Sequence, residues 1–328
     1  MRRLEVAEER WPLAAPFAIS RGVKTEAQVV VATITEDGVS GRGEGTPYGR
    51  YGETVEGVIS QAMAAAPLLE RGGGRSELQG AMAPGAARNA LDCALFDLEA
   101  KRTGRRAFEI AGRAAPGPLV TACTISLSDP DAMGRAAASA AAAGRVLLKL
   151  KIGGPDDLDR VVAVRRGAPA ARLIVDANEG LDLDALRRLL PDLARLGVAL
   201  IEQPLAAGED EALRGLRPPV TLCADESVHT RAELPRLVGL YGMVNLKLDK
   251  TGGLTEALGV AAEARALGLD LMCGCMVATS LSMAPAMLLA QGARVVDLDG
   301  PLLLKGDRAD GLVYQGSTVY PPSAALWG

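Results

Sequence analysis

From about residue 118 onward, short aliphatic runs alternate with amphipathic stretches. The aliphatic runs are LVTACTISL, RVLLKLKIGG, ARLIVDANEG, VALIEQP, VTLCADES, MVNLKLDKTGG, LDLMCGCMVAT and ARVVDLDG, and each closes on polar residues. Between them lie segments with helical spacing: DDLDRVVAVRRG, LDALRRLLPDLARLG, TRAELPRLVG and LTEALGVAAEARALG. Strand-like runs alternating with helices of this length predict βαβ units and a parallel sheet. One polar landmark per run (Thr124, Lys149, Asp176, Glu202, Asp225, Lys247, Cys273, Asp297) recurs at intervals of 25, 27, 26, 23, 22, 26 and 24 residues. One strand, one helix and two short loops fill such an interval, so the eight runs predict an α/β fold of the (β/α)8, TIM-like barrel type. An open doubly wound sheet is the alternative, but no GxGxxG opens a helix after its first strand.

The first 115 residues read as an α+β unit. VVVATITEDGVSGRGEGTPY (29–48) alternates like an antiparallel pair that turns at Asp37-Gly38. Within it, GRGEG (41–45) reads as a turn in a β meander, and helical stretches such as AARNALDCALFDLEAKRTG follow. RGGGRS (71–76) lacks the Lys-Ser/Thr of a phosphate loop and reads as a surface loop. Beyond residue 300 no further βα unit is legible. The expected division is a capping unit over 1–115, a barrel over 116–300, and a C-terminal segment, 301–328, returning to the capping unit.

Composition narrows the function. The 328 residues carry a net charge of -4, with charges of both signs interspersed, so no basic footprint for nucleic acid is present. Aromatic residues make up 3%, too few for a base-stacking platform. The five cysteines form no CxxC pair and read as reduced core residues, which with the absence of a signal core in MRRLEVAEERW predicts a cytoplasmic protein. LMCGCMVATSLSMAPAMLLA (271–290) is uncharged over 20 residues, but reads as a short strand and a small-residue helix rather than a membrane span.

Candidate chemistry sits at the ends of the runs. In VLLKLKIGG, Lys149 and Lys151 are two apart and leave a strand on one face. If that face lines the barrel mouth, each ammonium depresses the other's pKa, and burial adds to the effect, which suits a general base. Asp176 in IVDAN, Glu202 in LIEQP and Asp225 in CADES end the next three strands. Three converging oxygen ligands of that charge favour a hard cation, Mg²⁺. Lys247, in VNLKLDK, belongs to the sixth strand, diametrically opposite the second. Amines on both sides of one carbon have the geometry of a racemase or epimerase. Lys250 is assigned to the following loop, and His229 to a structural or solvent-facing role.

LKLK, VDAN, EQP, ADES and NLKLDKTGGLTEA, in that order, resemble the muconate lactonising subgroup of the enolase superfamily over nearly the whole chain. The resemblance implies a modified (β/α)7β barrel with an α+β capping domain. It makes Lys151 and Lys247 the two acid/base lysines, with Lys149 tuning Lys151 and touching the substrate carboxylate. Asp176, Glu202 and Asp225 would hold Mg²⁺, with Asn178 and Glu226 behind these ligands. A lysine base with metal-stabilised enolate chemistry is general in that superfamily, so the outer pocket must choose the substrate. Asp297 and Asp299 in VVDLDG share a face. Two exposed acids at a barrel mouth suit an α-ammonium, and Asp-x-Asp is similar to the motif with which dipeptide epimerases hold the amino terminus.

Arg21, in AISRGVKTEA, falls in a segment that resembles the family's mobile specificity loop, where it would meet an acidic side chain with Lys24 assisting. TPYGRYGET (46–54) would close the lid through Tyr48, Arg50 or Tyr51. Thr124, Cys275 and Met276 would line the floor, Cys275 standing where serine is common. The implied activity is 1,1-proton transfer on dipeptides of the L-Ala-D/L-Glu type, in murein peptide recycling. Other reactions of the subgroup (N-succinyl amino acid racemisation, o-succinylbenzoate synthesis, cycloisomerisation) and a non-catalytic ligand-binding barrel are the alternatives. The expected partner is a small dipeptide, with no nucleic acid and no membrane; a homo-oligomer is left open.

Overall fold

The computed structural model describes residues 2–328. Its first three strands form an antiparallel sheet in the order β1 (Arg3–Ile19), β2 (Gly22–Glu36), β3 (Val39–Gly45). β2 and β3 are joined at Asp37-Gly38, with φ of 53° and 81°, the double positive φ that matches the twist of a tight hairpin. AISRGVKTEA is not a loop. β1 and β2 pair up to Ile19 opposite Gly22, so Ser20 and Arg21 form the tip of a hairpin.

GRGEG is likewise not a turn: it is the end of β3. Gly41, Gly43 and Gly45 face the helix Ala86–Thr103. A Cβ on them would stand 2.2 Å from the Leu98 nitrogen, 2.1 Å from the Ala90 oxygen and 2.2 Å from the Ala86 oxygen. Three glycines spaced by two let a helix lie directly on a strand's backbone. Val30, Ala32 and Ile34 of β2 complete this core against Leu91, Ala94 and Leu98 of the helix.

LVTACTISL divides in two. β4 (Leu119–Val120) leaves the barrel and pairs with β14 (Thr318–Val319), which pairs with β13 (Tyr314–Gln315). β5 (Cys123–Ile125) begins an eight-stranded sheet that runs in chain order. It continues through β6 (Leu147–Lys151), β7 (Arg172–Asp176), β8 (Val198–Glu202), β9 (Thr221–Ala224), β10 (Met243–Leu246) and β11 (Asp270–Cys273) to β12 (Val295–Val296). All of its paired neighbours are parallel. The seam is bridged by the Ala122 N–H on the Val296 carbonyl and the Leu298 N–H on Thr121 Oγ1, each 2.8 Å. The result is a curled parallel sheet of TIM-barrel type with a separate antiparallel cap.

Full helices follow β5, β6, β7, β10 and β11: Pro130–Ala142, Asp157–Gly167, Leu183–Arg195, Leu254–Ala266 and Ser280–Ala290. TRAELPRLVG forms only a 3₁₀ turn, Arg231–Glu233, and one helical turn, Leu234–Leu237, with Pro235 in its first turn, where a missing N–H is tolerated. A 3₁₀ turn, Gly300–Leu303, replaces a helix after β12, as in a (β/α)7β barrel. The uncharged window resolves into β11 and Ser280–Ala290, and among the described residues no helix is long and apolar enough to cross a membrane. The last residues pack on the cap: the Trp327 indole donates to the Cys93 carbonyl at 3.0 Å and the Gly328 N–H to Asp97 at 2.8 Å.

The contact between β3 and its helix predicts that Gly43→Ala lowers stability by about 1–3 kcal/mol in a urea titration, through overpacking. Gly80→Ala, at a helical position with nothing within 4 Å, is the control and should be neutral or stabilising. Equal effects at the two positions would show that the close approach is not needed.

Candidate functional site

The barrel is plugged by Ala122, Leu147, Ile174, Leu200, Cys223, Met243, Met272 and Val295, one residue from each strand or the residue before it. Strand side chains alternate, so the residue two further along each strand stands one layer nearer the mouth. That layer reads Thr124, Lys149, Asp176, Glu202, Asp225, Asn245, Gly274 and Asp297. A further step of two brings in Lys151, Asn178, Lys247, Met276 and Asp299. The polar residues at the run ends are therefore the two layers of one funnel above an apolar floor.

The funnel opens into a cavity of about 350 Å³, whose lining includes Lys149, Lys151, Lys247, Asp297 and Asp299. Lys151 and Lys247, on β6 and just past β10, face it from opposite sides of the barrel. Each ammonium lies 2.6 Å from a carboxylate oxygen, Asp176 Oδ2 for Lys151 and Asp225 Oδ2 for Lys247. Lys149, 2% exposed, sits between three acids: Asp176 Oδ2 at 3.1 Å, Glu202 Oε2 at 2.7 Å and Asp297 Oδ2 at 2.8 Å.

These contacts correct the expected electrostatics. Burial alone would lower the pKa of Lys149, but Asp297, Glu202 and Asp176 outweigh it and hold the ammonium well above its ordinary value. Lys149 is a fixed counter-ion, not a group depressed by its neighbour. Lys247 is also held high, because Asp225 and Glu202 outweigh its burial. Burial pushes Glu202 up to about 7, with the Asp176 charge adding to it. Asp297 and Asp299 are buried rather than exposed, at 4% and 3%. Burial and the neighbouring Asp297 push Asp299 up to about 7, although it accepts the Thr124 N–H at 2.6 Å. Asp297 Oδ1 has no hydrogen-bond partner.

Asp176, Glu202 and Asp225 are 0%, 0% and 1% exposed, and Asp176 and Glu202 are register partners on β7 and β8. In this arrangement the lysines occupy the space between them, and no group of three or more His, Cys, Asp or Glu side chains among the described residues is gathered to hold an ion. The donor chemistry nevertheless fits a hard divalent cation. Glu202 Oε2 accepts no hydrogen bond, its 2.7 Å approach to Lys149 lying outside hydrogen-bond geometry. The ligand atoms are all carboxyl oxygens, and each of the three acids already draws a lysine ammonium.

Arg21, expected to await a substrate carboxylate, is already engaged. Its terminal nitrogens donate to the Asn178 carbonyl (2.7 Å), Glu179 (3.0 Å), the Tyr48 hydroxyl (2.8 Å) and Glu226 (2.7 Å). Lys24 lines the same cavity, 5.3 Å from the Tyr48 ring centroid, and pairs with no carboxylate among the described residues. Asn178 Nδ2 meets Glu226 Oε1 at 3.4 Å, and Thr124, Cys275 and Met276 line the cavity. His229 packs edge-on against Tyr51, with centroids 4.4 Å apart; burial and the Lys250 charge push it down to about 4, so it stays neutral.

Comparison with known proteins agrees with this geometry. Residues 1–112 match the model for the mandelate racemase/muconate lactonizing enzyme N-terminal domain, and residues 132–323 match that for the enolase C-terminal domain-like family. The chain belongs to the enolase superfamily. It is 48% identical to the L-Ala-D/L-Glu epimerase of Escherichia coli K12, over 94% of this chain and 96% of that protein. It is 43% identical to an N-acetyl-D-glutamate racemase of a Pseudoalteromonas species, over 92% and 95%. Among solved structures, an enolase family member from Agrobacterium tumefaciens with homology to dipeptide epimerases, holding sodium and L-Ala-L-Glu, superposes with a TM-score of 0.97. That protein is 53% identical, with full coverage of both chains.

Several residues that build this superfamily site escape sequence reasoning. Asn245 donates to Glu202 Oε1 at 2.8 Å, and Gly274 leaves room for it, since a Cβ there would stand 2.7 Å from the amide. Gln203 accepts the Asp225 N–H at 2.8 Å and donates to Ser227 Oγ at 2.9 Å, fixing the backbone of the third acid. Lys250 is not a loop residue. It is 1% exposed and donates to Asp225 Oδ1 and the Asp225 carbonyl, both at 2.5 Å, and to the Asn245 carbonyl at 2.9 Å. Its three-residue offset from Lys247 is a helical spacing, and the turn Leu248–Thr251 supplies it.

Asp249, in that same turn, ties barrel to cap by accepting the Thr46 N–H and the Asn89 amide, both at 2.8 Å. Burial, with Glu53 and Glu44 nearby, pushes it up to about 7 from 3.8. A carboxyl raised on folding costs stability as pH climbs from its unfolded pKa to its folded one. Asp249→Asn should therefore gain stability over the parent between about pH 4 and pH 7 in denaturant titrations. Parallel pH profiles would contradict this.

Proposed function

We propose that the chain is a Mg²⁺-dependent epimerase of L-Ala-D/L-Glu-type dipeptides, working by 1,1-proton transfer. The observation that carries this is the placement of Lys151 and Lys247 on opposite sides of one cavity, each against a buried carboxylate. One lysine takes the α-proton of the second residue from one face; the other returns a proton to the opposite face. Lys149, kept cationic by its three acids, attracts the substrate's α-carboxylate. Asp176, Glu202 and Asp225 would hold the ion, which when bound offsets the negative charge that builds on the substrate carboxylate as the α-proton leaves. Asn245, Gln203 and Lys250 keep those three acids in place.

The outer groups select the substrate. Asp297 Oδ1, buried and without a donor, matches the dipeptide's ammonium, with Asp299 beside it. An N-acylated amino acid has no cation for that oxygen and leaves an acid facing an acyl group. Lys24, rather than the engaged Arg21, is the cation left to receive the second residue's side-chain carboxylate. Phe17, Ile19, Val277 and Leu303 supply an apolar wall suited to alanine's methyl group. All five cysteines are unpaired, which accords with a reducing cytoplasm, where murein-derived peptides would be the substrate source.

The N-acetyl-D-glutamate racemase relative makes a second reading worth testing, since the proton transfer and the side chain are shared. Incubation in D₂O separates them. L-Ala-L-Glu should gain one deuterium at the second α-carbon and epimerise without change of connectivity, faster than L-Ala-L-Gln or N-acetyl-L-Glu. Lys24→Met should cut the preference for Glu over Gln by about tenfold to a hundredfold, the worth of a hydrogen bond between charged groups. Exchange with N-acetyl-L-Glu alone would establish the second reading, and exchange with none of the three would end the first.

A further inference from the structure

Glu179 takes no part in the proton transfer, yet three separate segments meet on its carboxylate. It stands on the loop after β7, with its side chain 8% exposed. Its Oε2 accepts from Arg21 Nη1 at 3.0 Å and from Arg50 Nε at 2.7 Å. Its Oε1 accepts from Arg50 Nη2 at 2.7 Å and from the Ala207 N–H at 2.8 Å. Arg21 is at the tip of the β1–β2 hairpin, Arg50 on the 3₁₀ turn Gly49–Tyr51, and Ala207 in the loop after β8. Both arginines belong to the cap and line the cavity.

The backbone that presents this carboxylate is strained. Asn178 and Glu179 carry consecutive φ values of 43° and 67°, a region that residues with a side chain enter at a cost. The turn is held by the Glu179 N–H on the Gln203 carbonyl at 2.9 Å. It aims a second acceptor the same way: the Asn178 carbonyl receives Arg21 Nη1 at 2.7 Å and Ser20 Oγ at 3.2 Å. A single exposed arginine–carboxylate pair contributes little. Here two guanidiniums and a backbone N–H converge on a carboxylate largely withdrawn from water, where charge-assisted bonds reinforce one another.

We infer that Glu179 is a positioning residue: it clamps the Ser20-Arg21 tip and the 49–51 turn onto the barrel mouth. By engaging both guanidiniums, with Glu226 on the other arm of Arg21, it leaves Lys24 as the cation that faces the substrate side chain. The kinetic consequence rests on the epimerase reading; the clamp does not.

Glu179→Gln keeps the size and removes the charge. Hydrogen exchange of the substrate-free protein should quicken about tenfold at amides 18–24 and 48–52, and stay unchanged in β6–β8, as expected of a local opening. The KM for L-Ala-L-Glu should rise about tenfold with a smaller change in kcat, and Glu179→Asp should fall between. Arg50→Gln, on the exposed side of the contact, should reproduce part of both effects, and the double variant should be no worse than Glu179→Gln. Unchanged exchange at 18–24 and 48–52, or additive effects in the double variant, would overturn the clamp. If the parent protein exchanges no dipeptide α-proton, the epimerase reading fails, and the hydrogen-exchange arm still decides the clamp.

Discussion

Lys149, Asp176, Glu202 and Asp297 share one layer of the barrel, almost wholly out of water, and none could be buried there alone. An isolated charge in such a place costs several kcal/mol, and removing one partner of a buried pair strands the other. The ammonium of Lys149 touches all three acids, Lys151 shares Asp176, and Lys247 and Lys250 divide the two oxygens of Asp225. Charge compensation thus fixes the side-chain positions that the chemistry needs. The same compensation explains why Lys149 and Lys247 stay cationic in this arrangement and why an added divalent cation would redistribute the partners of these side chains.

The apolar plug beneath makes this layer possible. Eight side chains close the floor, so the acids and lysines face a space that opens only toward the cap. The cap is aimed by a different constraint. Three glycines of β3 let the helix Ala86–Thr103 lie on bare backbone, and that helix reaches the barrel through Asn89 on Asp249 and Arg88 on the Thr251 and Gly252 carbonyls. Glu44, between two of those glycines, accepts from Arg308 and the Thr279 N–H, so β3 is joined to the loop after β11 as well. Packing in the cap therefore sets where the hairpin tip meets the mouth.

Much of this was legible in the residues. Period two in LKLK placed Lys149 and Lys151 on one face, and strand counting set Lys247 opposite Lys151. VDAN, EQP and ADES marked three neighbouring acids, because a carboxylate closing an aliphatic run requires a compensating partner. What was hidden depended on partners far apart in the chain. Lys149 reads as an amine that tunes Lys151 until Asp297, 148 residues away, is seen beside it. Arg21 reads as a free fork until Glu226, 205 residues away, takes one arm of it. GRGEG reads as a turn because glycine's backbone freedom is visible in sequence, whereas a helix pressed against it is not. Lys250 reads as a loop residue because it stands at the strand exit beside Gly252-Gly253, and the helical turn Leu248–Thr251 that carries it is a feature of the fold.

The central claim is that two lysines address opposite faces of one α-carbon, and single-lysine variants test it most directly. Lys151→Ala and Lys247→Ala should each lose epimerisation in D₂O while retaining α-proton exchange with one diastereomer of Ala-Glu, and the retained diastereomer should differ between the two. If both variants kept exchange for the same diastereomer, or either epimerised at the parent's rate, the opposed-lysine account would be contradicted.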